Sequence, residues 1–181
     1  NFNQPLTFNT SSVTNMGYMF FQCTNFNSAL TFSDTSSVTS MVYMLQNCPN
    51  FNQPINFNTL SLKYTTYMFN GCHSFNQPIN FITSSVITML GMFNNCFAFN
   101  SSLTLSDTSS VTSMGSMFKN CTVFDQDISA FQINALTSAA SMLQGSAFSK
   151  TNYDLLLPAW DSYGTSSVSF HAGTAHYSAG A

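Results

Sequence analysis

Residues 2–23 read FNQPLTFNTSSVTNMGYMFFQC, and a looser copy of this stretch begins at Phe26. A phenylalanine returns every 24 or 25 residues, and a valine or leucine, a methionine and a cysteine return in phase with it. The columns are Phe2, Phe26, Phe51, Phe75, Phe99, Phe124 and Phe148; Val13, Val38, Leu62, Val86, Val111 and Leu136; Met19, Met44, Met68, Met92, Met117 and Met142; and Cys23, Cys48, Cys72, Cys96 and Cys121. Columns in phase indicate a repeat protein, whose repeats we number 1 to 6 from the phenylalanines at 2 to 124.

Each repeat contains two segments with different apolar periods. Leu6 and Phe8 flank Thr7, which is the alternation of a short strand with one buried face. From Val13 to Cys23 the apolar residues follow the spacing of one helix face, and the preceding Ser and Thr residues suit a helix N-cap. Because such a unit cannot bury its own apolar face, the copies must stack with their strands parallel. The sequence predicts an α/β solenoid of about six strand-plus-helix repeats over residues 1–148, the sixth degenerate.

The charge content excludes several partners. Only 5% of the 181 residues are charged, and they comprise three lysines and six aspartates. A typical soluble domain carries about 25%. Three cations cannot neutralise a run of phosphates, so we expect neither nucleic-acid binding nor attraction to an anionic membrane surface. No apolar stretch approaches the roughly 20 residues of a membrane-spanning helix, so no transmembrane segment is expected.

The segment SSVTSMGSMFKNC at residues 109–121, followed by a phenylalanine and a short strand, resembles the BspA-like leucine-rich repeats of bacterial surface proteins. The pattern V-T-x-M-x-x-M-F-x-x-C runs from Phe2 to about Cys121 in five good copies, and the tail is similar to the closing segment of that family. The resemblance implies a right-handed leucine-rich-repeat-like solenoid with roles in adhesion and surface display.

Residues 149–181 differ from the repeats and are predicted to cap the last one. Tyr153, Leu156, Leu157 and Trp160 could cover its apolar layer as a short helix that ends at Pro158 or just beyond it. No comparable segment precedes repeat 1. The sequence therefore predicts either further upstream repeats or self-association in which another chain stacks on the N-terminal end.

The cysteine column is more typical of packing than of chemistry. Stacked neighbours would have Cα atoms about 5 Å apart, which disulfides tolerate, but parallel Cα–Cβ bonds would give poor S–S geometry. Buried thiols are favoured, and disulfides stay open as the alternative. The 24- or 25-residue spacing lacks the paired ligands of a metal site, and no nucleophile with a placed base or phosphate loop is recognisable. We therefore expect no enzyme activity, no catalytic residues, no metal and no cofactor.

The outward strand positions and a polar column just upstream of them form the candidate binding face. Its members are Gln4, Thr7, Ser28, Thr31, Gln53, Asn56, Gln77, Asn80, Ser101, Thr104, Gln126 and Ser129. These small uncharged groups could meet a glycan or a protein, or they could form only a solvated surface. Asn9, Asn100 and Asn120 stand in N-x-Ser/Thr sequons, which are glycosylation sites if the source modifies secreted proteins.

The leading functional prediction is a non-catalytic module, extracellular or displayed at the cell surface, for adhesion or for binding a protein or glycan. The alternative is a structural subunit of a filament, surface layer or virion, because so little charge removes the usual repulsion between copies. A remote alternative is ice binding by a regular polar face.

Overall fold

The computed structural model describes residues 2–164 and 168–170. Its elements in these residues are strands β1 (Ile79–Phe81), β2 (Leu103–Leu105) and β3 (Ser138–Ala139), helix α1 (Lys150–Asp161) and strand β4 (Ser169–Phe170). Strand β1 pairs in parallel with β2, and β3 pairs in parallel with β4. Both pairings join segments that are distant in sequence, as stacked repeats require.

Strands β1 and β2 occupy the strand positions predicted for repeats 4 and 5. Ile79 lies opposite Leu103 in register, and a parallel bridge joins Leu6 and Leu30 at the same position in repeats 1 and 2. In β1, Ile79 and Phe81 are buried while Asn80 between them is exposed. This alternation places one side chain per repeat on the outer surface.

A second parallel ladder joins all six repeats. It runs through Asn15, Ser40, Tyr64, Thr88, Ser113 and Ser138, and the β3–β4 pair extends it to Ser169 in the C-terminal segment. In four of the six repeats its position directly precedes a methionine, and in repeats 3 and 6 it precedes Thr65 and Ala139. The most continuous hydrogen-bonded part of the fold therefore lies in the segment for which the sequence predicted a helix.

The prediction of a helix in each repeat was wrong for the described residues. In repeat 1 the segment forms successive tight turns, and the amides of Met19 and Cys23 each close a turn on the carbonyl three residues earlier. The third residues of these two turns, Tyr18 and Gln22, have φ values of 61° and 60°. A left-handed residue at this position is typical of type II turns and cannot continue a right-handed helix. The corresponding residues are left-handed throughout: Tyr43, Asn47, Tyr67, Gly71, Gly91, Asn95, Ser116, Asn120, Ser141 and Gly145.

The turns free every second amide to bond with the next repeat. The amides of Met16, Tyr18, Phe20 and Gln22 donate to carbonyls of repeat 2 over 2.8–3.0 Å, and the same four-bond pattern recurs at each later interface. The intervening amides close the turns within the repeat. This division satisfies backbone donors that would otherwise be buried without a partner.

The Val, Met, Cys and Phe columns form one continuous core. The ring centroids of Phe26 and Phe51 lie 5.7 Å apart, and those of Phe99 and Phe124 lie 5.9 Å apart, with nearly parallel planes. A second phenylalanine packs on this column in most repeats, with Phe118 and Phe124 separated by 4.0 Å. Each fully buried large side chain contributes about 1.5–3 kcal/mol, so these columns supply most of the gross stabilisation.

Helix α1 covers the last repeat, where the sequence predicted a capping helix. Ser149 is its N-cap and accepts a hydrogen bond from the amide of Asn152, while Tyr153, Leu156 and Trp160 are buried. Leu157 is partly buried against the same core, and the helix continues past Pro158 to Asp161. Residues 165–167 and 171–181 of the predicted capping segment lie outside the described residues. Within the described ranges, no helix is long and apolar enough to cross a membrane.

Candidate binding face

The outward strand residues form the most open part of the candidate face. Thr7, Thr31, Asn56, Asn80 and Thr104 are all exposed, and Asn80 lies directly opposite Thr104 in the β1–β2 pair. None of these five side chains hydrogen-bonds with the part of the chain that the structure describes. Their hydroxyl and carboxamide groups therefore point to solvent. We call these five residues the strand face.

Ser129 does not belong with the strand face, contrary to its predicted place. In repeat 6 the amide of Phe131 donates to the carbonyl of Ile128 over 3.1 Å, which closes a turn where the other repeats have an extended segment. Ser129 is half-buried within that turn. The degenerate sixth repeat thus ends the exposed polar column.

The upstream polar column is mostly engaged between repeats, which sequence reasoning missed. The Asn27 Oδ1 accepts hydrogen bonds from the Asn52 amide at 2.8 Å and from the Gln53 Nε2 at 3.1 Å. The residues that accept in this way form an asparagine ladder: Asn3, Asn27, Asn52, Asn76, Asn100 and, at its end, Asp125. Their donors include Ser28, Gln53, Gln77, Ser101 and Gln126, all half-buried, whereas Gln4 in repeat 1 is exposed. These groups mainly tie neighbouring repeats together.

The last residue of the asparagine ladder, Asp125, is hydrogen-bonded to the start of helix α1. The Asp125 Oδ1 accepts hydrogen bonds from the Ser149 amide at 2.7 Å and from the Asn152 Nδ2 at 2.8 Å. Desolvation raises the pKa of this carboxyl group, but the bonds from Ser149 and Asn152 outweigh it, so the net pKa is lowered. The ionised carboxylate therefore holds the start of α1 against repeat 6.

Comparison with protein families identifies this repeat pattern. The model of a family described as "Mycoplasma protein of unknown function, DUF285" matches residues 1–81 and again residues 55–160. The chain belongs to the DUF285 family. The two matches span the six repeats and nearly all of α1, which supports the predicted repeat surface-protein family at a coarse level. Comparison with curated proteins and with solved structures gave no match.

Four of the five cysteines of this DUF285 chain are buried thiols that each donate a hydrogen bond to a backbone carbonyl. The Cys96 Sγ donates to the Phe69 carbonyl of the preceding repeat at 3.0 Å, and the Cys48 Sγ donates to the Phe20 carbonyl at 2.9 Å. Burial raises the pKa of Cys48 to about 12 and that of Cys96 well above its ordinary value. Neutral buried thiols are poor nucleophiles. In the described ranges, no group of three or more His, Cys, Asp or Glu side chains could hold a metal ion.

The three sequons of the DUF285 chain differ in accessibility. Asn9 is exposed, and its Oδ1 accepts from the Ser11 hydroxyl at 2.8 Å. Asn100 is a rung of the asparagine ladder. Asn120 is half-buried in a left-handed conformation, and its Nδ2 donates to the Asn95 Oδ1 at 2.8 Å. Because a glycan would be attached at Nδ2, Asn120 is the least suitable acceptor of the three.

The outer side of repeat 1 contains a depression of about 490 Å³ lined by residues that include Phe8, Val13, Met16 and Met19. Met19 is 36% exposed, whereas its counterpart Met44 in repeat 2 is 0% exposed. The difference arises because repeat 1 covers Met44, while no described residue stacks on the outer side of repeat 1. The lining of this depression combines apolar side chains with polar groups from Asn9 and Asn15.

Proposed function

We propose that this DUF285 member is a non-catalytic module, extracellular or displayed at a cell surface, that binds a protein or glycan partner through the strand face. The observation that carries the proposal is the alignment of Thr7, Thr31, Asn56, Asn80 and Thr104, which are exposed and have no side-chain hydrogen bonds to the described residues. Their donors and acceptors are available to a ligand. The resemblance to BspA-like repeats supports adhesion as the role of such binding.

The chemistry of the strand face favours an uncharged partner surface. All five side chains are neutral hydroxyls or carboxamides, and only 5% of the whole chain is charged. Recognition would rest on hydrogen bonds spaced along the repeats, as in wet polar interfaces. Sugar hydroxyls and exposed peptide groups both supply matching donors and acceptors.

We also propose that the stacked repeats form a right-handed, leucine-rich-repeat-like solenoid built from strands and turns. The four-bond interfaces and the two parallel ladders support this architecture. The right hand is favoured because parallel crossover connections are right-handed in about 98% of cases. A solenoid would present the strand face as one extended surface.

The proposed function is tested by screening the intact protein against glycan arrays and extracellular-matrix proteins. A triple variant, Asn56→Ala with Asn80→Ala and Thr104→Ala, should lose the interaction that wild type shows. Leu60→Ser is the matched control, because Leu60 is 55% exposed and lies outside the strand face. The proposal is wrong if the wild type binds nothing, or if the triple variant binds every ligand as wild type does.

A second candidate function is that of a structural subunit that self-associates through the outer side of repeat 1. The observation that favours it is the exposure of Phe8 and Met19 around the depression described above. Analytical ultracentrifugation should then show oligomers that Met19→Lys reduces to monomers. A monomeric wild type at high concentration would contradict this candidate and leave the strand-face proposal intact.

A further inference from the structure

Three tyrosines on the surface of repeats 1 to 3 adopt a backbone conformation that is unfavourable for them. Tyr18, Tyr43 and Tyr67 have φ values of 61°, 58° and 52°. Left-handed conformations are rare for bulky residues, and such strain concentrates at functional positions. We call these three residues the tyrosine row.

The turn itself does not require tyrosine. The same position holds Gly91, Ser116 and Ser141 in repeats 4 to 6, also with positive φ. Glycine adopts this conformation without strain, and serine fits it with a small side chain. The aromatic side chains of repeats 1 to 3 therefore need a reason other than the backbone geometry of the turn.

The tyrosine row is a continuous line of ring contacts, tilted between Tyr18 and Tyr43 and stacked between Tyr43 and Tyr67. The ring centroids of Tyr18 and Tyr43 are 4.8 Å apart, and those of Tyr43 and Tyr67 are 5.5 Å apart. Gly91 makes room for the last ring, since a Cβ there would lie 2.1 Å from the Tyr67 Cε1. Tyr18 is 58% exposed, and the three hydroxyl groups neither bond with the described residues nor belong to their buried unpaired atoms. The phenolic oxygens thus reach solvent in a line.

The surroundings of the tyrosine row narrow the class of ligand. Asp34 and Lys63 are the only charged side chains between residues 2 and 72. A ligand with many charges would find no counter-ions there. Rings with an apolar edge and a polar hydroxyl suit a ligand that is itself part apolar and part hydroxylated. The spacing of the rings also resembles the advance per sugar in an extended β-1,4-linked chain.

We propose that the tyrosine row is a binding site for an extended neutral polysaccharide, with about one sugar for each tyrosine. The exposed ring of Tyr18 packs against one sugar, while Tyr43 and Tyr67, whose ring faces cover one another, meet their sugars mainly through the hydroxyl-bearing ends of the rings. The phenolic hydroxyls donate to and accept from the sugar hydroxyls. This site lies in a different segment of the repeat from the strand face, so the two proposals can fail separately.

The test measures dissociation constants by isothermal titration calorimetry of the intact protein with hexasaccharides of β-1,4-linked glucose and of β-1,4-linked N-acetylglucosamine. The corresponding disaccharides provide the length series. We expect at least one hexasaccharide to bind about tenfold more tightly than its disaccharide, because only the longer chain spans three tyrosines. Tyr43→Ser should weaken that binding about tenfold or more.

The variants separate a binding role from a structural one. Serine already occupies this turn position at Ser116 and Ser141, so Tyr43→Ser and Tyr67→Ser are compatible with the fold. Leu60→Ser should bind as wild type does. Weakened binding in both tyrosine variants, with the strand-face triple variant unaffected, supports the proposal. Absence of hexasaccharide binding, or binding that is weakened only in the strand-face variant, overturns it.

Discussion

Replacing Gly91 by alanine should destabilise the protein by about 2–3 kcal/mol. Gly91 is buried at a φ of 60°, where an L-residue costs about 1–2 kcal/mol. Its new Cβ would also lie 2.1 Å from the Tyr67 Cε1 and 2.4 Å from the Cδ1, so the ring must move. Displacing that ring disrupts its 5.5 Å stack with Tyr43, which is worth about 0.5–1.5 kcal/mol.

The assay is equilibrium urea unfolding followed by circular dichroism, with thermal unfolding alongside. For a chain of this size, the expected loss corresponds to a melting temperature lower by about 5–10 °C. Gly164→Ala is the matched control, because Gly164 has a φ of 61° but no atom of the described residues lies within 4 Å of its new Cβ. That variant should show the backbone strain alone, about 1–2 kcal/mol.

A double-mutant cycle isolates the clash between position 91 and the Tyr67 ring. In a Tyr67→Ala background, Gly91→Ala should cost only the backbone strain, which leaves a coupling of about 1 kcal/mol between the two sites. Ser116→Gly in the same turn position should stabilise the protein, because it relieves strain at a φ of 53°. If Gly91→Ala lowers the free energy of unfolding by no more than Gly164→Ala does, the contact with Tyr67 is not the reason that position 91 requires glycine.

Three further predictions concern titratable and unpaired groups. Asp125→Asn should lower stability modestly at neutral pH, where the carboxylate is ionised, and should reduce acid sensitivity in urea titrations below about pH 4. The pKa of Asp125 is lowered in the folded state, so its contribution is lost as the pH falls through that pKa. Stability should also fall as the pH rises from 9 towards about 12, because burial raises the pKa of Cys48 and Cys121 from 9.0 to about 12 and only the unfolded state loses those protons readily. Each thiol should contribute a slope of up to about 1.4 kcal/mol per pH unit, and Cys121→Ser should remove the contribution of one thiol. Trp160→Phe should cost under about 1.5 kcal/mol in melting experiments, because the Trp160 Nε1 is buried with no partner among the described residues, whereas Trp160→Ala should cost about 3–5 kcal/mol.

The repeat period, the buried columns and the short strands could be predicted because each depends on the order of apolar residues along the chain. The same order did not distinguish a helix from the turns that the structure has. Apolar residues spaced three and four apart suit one face of a helix, and they equally suit two turns that each direct a side chain inward. The distinguishing signal lies in the residue before each cysteine, which is asparagine or glycine in most repeats: Asn47, Gly71, Asn95 and Asn120. These residue types favour the left-handed conformation that ends a helix.

The candidate face was predictable only in part, for a reason of register. That Thr7 and Asn80 point outward follows from strand alternation within one repeat. That the Asn27 Oδ1 receives donors from both Asn52 and Gln53 depends on how one repeat sits on the next. Sequence periodicity gives the length of the repeat but not this offset, so the asparagine ladder looked like a solvent-facing polar column.

Stacking also explains why the chain carries so little charge. Equivalent side chains in adjacent repeats lie about as far apart as Phe26 and Phe51, whose centroids are separated by 5.7 Å. Like charges at that distance near a surface would repel by about 1–3 kcal/mol for each pair. A hydroxyl or carboxamide both donates and accepts, so it can bond with an identical copy above and below, as Asn95 and Asn120 do.

The positions of the charged residues agree with this constraint. Asp34 and Asp107 occupy the same column but are separated by two intervening repeats, whose residues there are Asn58 and Ile82. Asp125 is the only carboxylate in the asparagine ladder, and it stands at the end, where its partner is the start of α1. The N-terminus of a helix favours a nearby negative charge. A carboxylate inside the ladder would instead lie close to the equivalent residue of the next repeat, where a second carboxylate would repel it. The column that builds the fold therefore excludes charge everywhere except where stacking stops.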